Sequence, residues 1–168
     1  MSRDTDEIVR HQRAVREFVA RPPFSRRDLS DRELDLFCTA LTHDSYCSEA
    51  LNLPEPLNLE SYERLEFLGD AVLEMIACEH VYLDTDLEEG PMTDFKQEIV
   101  ANHKISEKVM SKGLDIDPVM LVGHGHRDGK RNVIEENMRA DSFEALIGAV
   151  YVLYGLDEAR RVVSEVLF

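Results

Sequence analysis

The chain has 168 residues, 43% hydrophobic and 32% charged, with 34 acidic against 19 basic side chains and a formal net charge of −15. That length and apolar content suit one domain with a core of its own and argue against a disordered chain. The acidity argues against a basic nucleic-acid arm or a polybasic membrane anchor, although divalent cations can bring an acidic surface to a phosphate.

Cys38, Cys47 and Cys78 show no CxxC spacing and read as small buried apolar groups in a reducing compartment. The N-terminus has no apolar signal segment. The longest apolar stretch, 145–156, falls short of the roughly 18 residues that span a bilayer. The expectation is a soluble, cytoplasmic protein with no membrane partner.

Apolar positions recur at helical spacing, and period-two runs are almost absent, so an all-α bundle is expected. A first helix over 5–20 stops at Pro22-Pro23. Ser30 and Glu33 form a capping box that opens the helix LDLFCTALTH. The segment 51–59, with Pro54 and Pro56, reads as a loop, and a long helix follows over 61–83. Residues 84–91 read as an acidic turn closed by Gly90 and Pro91. Thr93 then caps a helical region that breaks near Asn102 and ends at Gly113. A loop over 123–129 precedes a second long helix, 133–154, with Gly155 as its stop and a last helix over 156–167. Residues 1–30 read as a helix and linker belonging to the same domain as 31–168.

On a helix, Glu63, Glu66, Asp70 and Glu74 share one stripe, opposite Leu65, Leu68, Val72 and Ile76. Like charges one turn apart cost a few tenths of a kcal/mol per pair, a cost that bound cations would relieve. Asp141 and Glu144 face the same way at the head of a nearly apolar helix, where carboxylates need partners. Two helices that each present a carboxylate pair can supply the oxygen ligands of Mg²⁺, in a site suited to in-line phosphoryl chemistry. Plainer readings stand beside this one. An acidic helix face is ordinarily a solvated face, the reading taken for Glu74, Glu79 and the run 84–89. Asp141 and Glu144 alone would also suit a helix dipole.

Glu63-Arg64-Leu65-Glu66-Phe67-Leu68-Gly69-Asp70 resembles the signature of the ribonuclease III family without a mismatch. The block from Ala140 to Tyr151 resembles that family's second conserved block, and Thr42-His43-Asp44-Ser45-Tyr46 its upstream Thr-His-x-Ser-Tyr element. The resemblance implies a homodimeric helical nuclease domain that hydrolyses double-stranded RNA with Mg²⁺, or with Mn²⁺ as substitute. Products in the family carry 5′-phosphates, 3′-hydroxyls and short 3′ overhangs, and the implied role is RNA processing. Carried over by position, Glu66, Asp70, Asp141 and Glu144 match its metal ligands, Asp70 and Glu144 being catalytic as well. Glu63 and Glu89 match two further acidic positions of its catalytic valley; Glu88, adjacent to Glu89, is the competing alignment.

The same resemblance places Phe67 in a socket of the partner subunit; its wheel position, toward the acidic edge, is odd for a monomer. Residues 123–131 resemble the family's Gly-rich loop, with His126 where an acidic residue often stands. Arg127, Lys130 and Arg131 are candidates to hold phosphates. Lys104, Lys108 and Lys112 form a basic stripe, read either as solvated or as touching the RNA backbone. His43 reads as a hydrogen-bonded structural histidine, and His124 with His126 lacks the further ligands a zinc site requires.

Many relatives carry a C-terminal double-stranded-RNA-binding domain, and this sequence ends at Phe168, directly after the last expected helix. A stand-alone nuclease domain and a piece of a longer protein both fit. With so few cations, duplex binding is expected to be weak, salt-sensitive and strengthened by divalent ions, with a partner protein as one means of recruiting RNA. The competing class is a non-catalytic RNA-binding or ribosome-associated protein on the same fold, whose members can lose metal carboxylates that this sequence retains.

Overall fold

The computed structural model describes residues 3–168, with side-chain surroundings from residue 6. The helical periodicity becomes α1 (Arg3–Val19), α2 (Asp31–Ala40), α3 (Asp44–Leu51), α4 (Glu63–Asp84), α5 (Glu89–Ile99), α6 (Asn102–Ser111), α7 (Glu136–Tyr154) and α8 (Leu156–Leu167). A short 3-10 turn at His124–His126 leads into the two-residue strands β1 (Arg127–Asp128) and β2 (Arg131–Asn132), an antiparallel pair.

The bundle is organised around α7. From Met138 to Val150 every residue of that helix except Asp141 is buried, because α2, α4, α6 and α8 pack against it from different sides. A helix apolar all round has to be central, since no face of it can meet water cheaply. Leu73 and Ile76 of α4, Ile105 of α6, Phe37 of α2 and Val162 of α8 meet Phe143, Leu146 and Ile147 in one core. The helix α1 joins that core through Val15, Phe18 and Val19, and Phe18, Phe24 and Phe37 pack in series, tilted and then edge to face, with ring centroids 5.6 and 6.1 Å apart.

Side-chain caps open α2 and α3. The capping box forms: the Ser30 N–H donates to Glu33 Oε2 (2.8 Å) and the Glu33 N–H to Ser30 Oγ (3.4 Å). Four expectations are corrected. The helix α2 ends at Ala40, and α3, unforeseen, begins at Asp44 with His43 as its cap, whose Nδ1 accepts from the Ser45 N–H (3.1 Å). The helix α5 starts at Glu89, so Gly90 and Pro91 lie inside it instead of ending a turn. Proline is tolerated there because first-turn N–H groups have no partner within the helix. Thr93 is no cap; its hydroxyl donates to the Glu89 carbonyl (3.0 Å). Finally, α7 begins at Glu136, since residues before it are drawn into the hairpin, where the Val133 N–H donates to the His126 carbonyl (2.8 Å).

The Thr42–Tyr46 element is a splice. The His43 N–H donates to Leu121 O (2.9 Å), the Leu121 N–H to Leu41 O (2.8 Å) and the Tyr62 N–H to Thr42 O (2.9 Å). Ser45 Oγ accepts the Gly123 N–H (2.9 Å), which ties the start of α3 to the loop before the hairpin.

Candidate active site

The site is built where α4 crosses α7, and two glycines let the backbones touch. A methyl group on Gly69 would lie 1.8 Å from the carbonyl oxygen of Glu144, and one on Gly148 would lie 2.3 Å from that of Leu65. No side chain fits at either point, so the helices approach at backbone distance and the carboxylates on either side of the crossing are brought face to face.

One oxygen each from Glu66, Asp141 and Glu144 lies within 4.8 Å of the other two. Glu144 is buried at 6% exposure, and Glu66 and Asp141 are half-buried. Among the described residues, neither Glu66 nor Glu144 accepts a hydrogen bond. Asp141 accepts a long one, 3.4 Å, from Asn102 Nδ2.

Burial pushes the Glu144 carboxyl up to about 8, with the charges of Asp70, Asp141 and Glu66 adding to the effect. The Glu66 carboxyl is raised by burial and then by Asp141 and Glu63, and that of Asp141 by burial alone. Converging oxygens that repel one another, with almost no protein donor to quiet them, match the needs of a small hard cation. The residues therefore fit a divalent metal of the Mg²⁺ type.

The remaining expected residues are placed as follows. Asp70 lies one turn beyond Glu66, outside the close cluster, yet it is the carboxylate whose charge acts most strongly on Glu144. Its own carboxyl is raised by burial and by Glu74, with Lys96 opposing. Glu63 opens α4 and accepts from Ser61 Oγ (3.0 Å). Glu89 opens α5 and lines a cleft of about 270 Å³ with Cys78, Val81, Tyr82 and Lys96 rather than joining the close cluster. Phe67 stands on the outer side of α4, 83% exposed.

The basic candidates divide. Lys130 and Arg131 are exposed at the hairpin. Arg127 is committed internally: its Nε and Nη2 donate to the Val122 carbonyl and its Nη1 pairs with Glu7 at 2.7 Å. On α6, Lys104 pairs with Glu107 (3.1 Å), Lys108 is half-buried and Lys112 exposed. His124 donates to and pairs with Glu49 (2.6 Å), and the His43 ring meets those of Tyr62 and His126 edge-on.

A family model described as Ribonuclease-III-like matches residues 33–168. The chain belongs to this ribonuclease-III-like family. Ribonuclease 3 of Bifidobacterium longum is 36% identical over 135 residues, covering 79% of this chain and 52% of that protein. Human Ribonuclease 3 is 40% identical over 116 residues, 68% of this chain and 8% of its own length. The chain thus spans about half the length of the bacterial relatives it matches. The fold resembles a nuclease domain of ribonuclease III from Campylobacter jejuni, in a structure concerned with the region involved in that domain's dimer formation. Its TM-score is 0.69 at 22% identity, covering 92% of this chain and 94% of the other. Among the described residues no helix is long and apolar enough to cross a membrane.

Asn102 and the paired glycines are what sequence reasoning missed. Gly69 and Gly148 are visible in the two motif blocks, but only the crossing shows that each is there for the other helix.

Proposed function

We propose that this chain is the catalytic domain of an endoribonuclease that cleaves double-stranded RNA with Mg²⁺, leaving 5′-phosphate and 3′-hydroxyl ends. The observation that carries the reading is the convergence of Glu66, Asp141 and Glu144 at the α4–α7 crossing, with the Asn102 amide as the one side-chain donor to them among the described residues. Membership of the ribonuclease-III-like family supports the substrate class.

In this scheme Glu66, Asp141 and Glu144 hold the cation, and Asp70 completes the set from one turn along α4. When bound, the cation polarises the phosphate and favours ionisation of the attacking water. The protein keeps the ligands aimed: the glycine crossing fixes their separation, and Glu144, whose burial favours its protonated form, would have to release that proton to hold the cation. Glu63 and Glu89 extend the acidic surface on either side. Lys130 and Arg131 at the hairpin, with Lys104 and Lys108 on α6, hold backbone phosphates; Arg127 supports the hairpin from within.

We further propose a homodimer in which Phe67 enters the partner. An 83% exposed phenylalanine on the helix that carries two of the ligands is an anchor awaiting a pocket. Two facing sites would then address both strands of one duplex.

The direct test is incubation of long duplex RNA with the protein in Mg²⁺ and in EDTA, beside the Glu144→Gln variant. Cleavage is expected only with metal and only in the unsubstituted protein, while the variant keeps its helical content. Equal turnover by the variant at low Mg²⁺ would remove Glu144 from the site. For assembly, sedimentation at micromolar concentration is expected to show a dimer that Phe67→Ala weakens.

A further inference from the structure

Asn102 opens α6 and turns its side chain away from its own helix toward α7. Its Nδ2 donates to Asp141 Oδ1 (3.4 Å) and to Asn137 Oδ1 (3.4 Å), and Asn137 sits one turn before Asp141 on α7. The two hydrogens of one amide are thus divided between an amide oxygen and a carboxylate. The reverse orientation of the amide would set oxygen against a carboxylate that only accepts. Of the three clustered carboxylates, Asp141 is the one that takes a side-chain hydrogen bond among the described residues.

Building on the metal reading above, we propose that Asn102 is a positioning residue: its amide holds one oxygen of Asp141 so that the other faces Glu66 and Glu144. The chemistry of the donor matters. A lysine at this place would neutralise Asp141, as Lys96 does Glu74 (3.0 Å), and would compete with the cation for it. An amide orients the carboxylate and leaves its charge for the metal. Asp141 is half-buried rather than sealed in, so without Asn102 its carboxylate is free to turn. Ordering it in advance removes a cost that each binding event would otherwise bear. Asn137 completes the device by holding the second hydrogen of the amide, which sets its plane.

The test uses the full chain and Mn²⁺ as the probe, with affinity read by electron paramagnetic resonance. Unsubstituted protein, Asn102→Ala, Asn137→Ala and Asp141→Asn are compared, with helix content and metal-free melting recorded for each. Asn102→Ala is expected to bind Mn²⁺ about tenfold more weakly, in the range typical for loss of an outer donor onto a metal ligand, with its metal-free melting unchanged. In duplex cleavage, its half-saturating Mg²⁺ concentration rises by a similar factor and the rate recovers at high Mg²⁺, which a general loss of structure would not allow. Asn137→Ala, at an exposed position, is expected to weaken binding about threefold, a smaller part of the same outer-donor effect. Unchanged Mn²⁺ affinity in Asn102→Ala overturns the proposal, whether or not its melting falls; if that variant does not fold, unchanged affinity in Asn137→Ala overturns it. Unsubstituted protein that binds no Mn²⁺, or binds it as Asp141→Asn does, overturns instead the metal reading on which the proposal rests.

Discussion

The two ends of α4 carry the same kind of residue and treat it in opposite ways. Toward the C-terminus, Glu74 is held by Lys96 at 3.0 Å and Glu79 by Arg160 at 2.6 Å. At the crossing with α7, Glu66 meets Asp141 and Glu144 with no cation among the described residues paired with any of the three. The acidic residues of one helix are therefore of two kinds: carboxylates paired with cations in its second half and a concentration of unrelieved negative charge in its first. What separates them is the neighbour, a single cation from α5 or α8 in one case and a second set of carboxylates in the other.

The contrast can be broken most severely at Gly69. In Gly69→Ala the new methyl meets the Glu144 carbonyl, so the helices must part or the fold must fail. A loss of about 3 kcal/mol or more is expected in denaturant unfolding, at the upper end of what overpacking costs. Any variant that still folds should have lost its affinity for divalent metal. A Gly69→Ala protein of ordinary stability and affinity would show that the close approach is not needed.

Next in size is the proton held by Glu144. Its carboxyl sits at about 8 in the folded chain against about 4.5 unfolded, so between those values the folded state binds more protons. Stability of the metal-free protein is thus greatest below about 4.5, as far as this group decides it, and falls as pH rises through about 8, with a slope approaching 1.4 kcal/mol per pH unit. Saturating Mg²⁺ should flatten the slope. Glu144→Gln should raise metal-free stability at pH 8 by roughly 2–4 kcal/mol and have little effect at pH 5. Urea unfolding at several pH values, with and without Mg²⁺, reads all three effects.

The smallest effect belongs to the other end of the stripe. Lys96→Ala removes a partly exposed ion pair and should cost about 1 kcal/mol at most, less in high salt. A loss several times larger would make Lys96 part of what holds the carboxylates together.

Patterns confined to one helix were legible in the sequence. The spans of α4 and α7, the Ser30–Glu33 capping box and the shared face of Glu66 with Asp70 all follow from spacing and capping chemistry within a few residues. The short α3 was hidden because its eight residues give too few turns for a periodic signal, and the start of α5 was placed late because a glycine and a proline in its first turn read as a stop. Arg127 looked like a phosphate ligand since nothing near it in the chain reveals Glu7 or the turn that brings Val122 within reach.

The amino-acid sequence alone determined the helical class, the two carboxylate-bearing helices and the family, because each is written in residues close together along the chain. Only the tertiary structure decided which carboxylates meet, which are neutralised and that Asn102 touches Asp141. Those outcomes depend on the separation and rotation of packed helices. Here that separation is set by two glycines, Gly69 and Gly148, seventy-nine positions apart, whose missing side chains make room for each other's backbone.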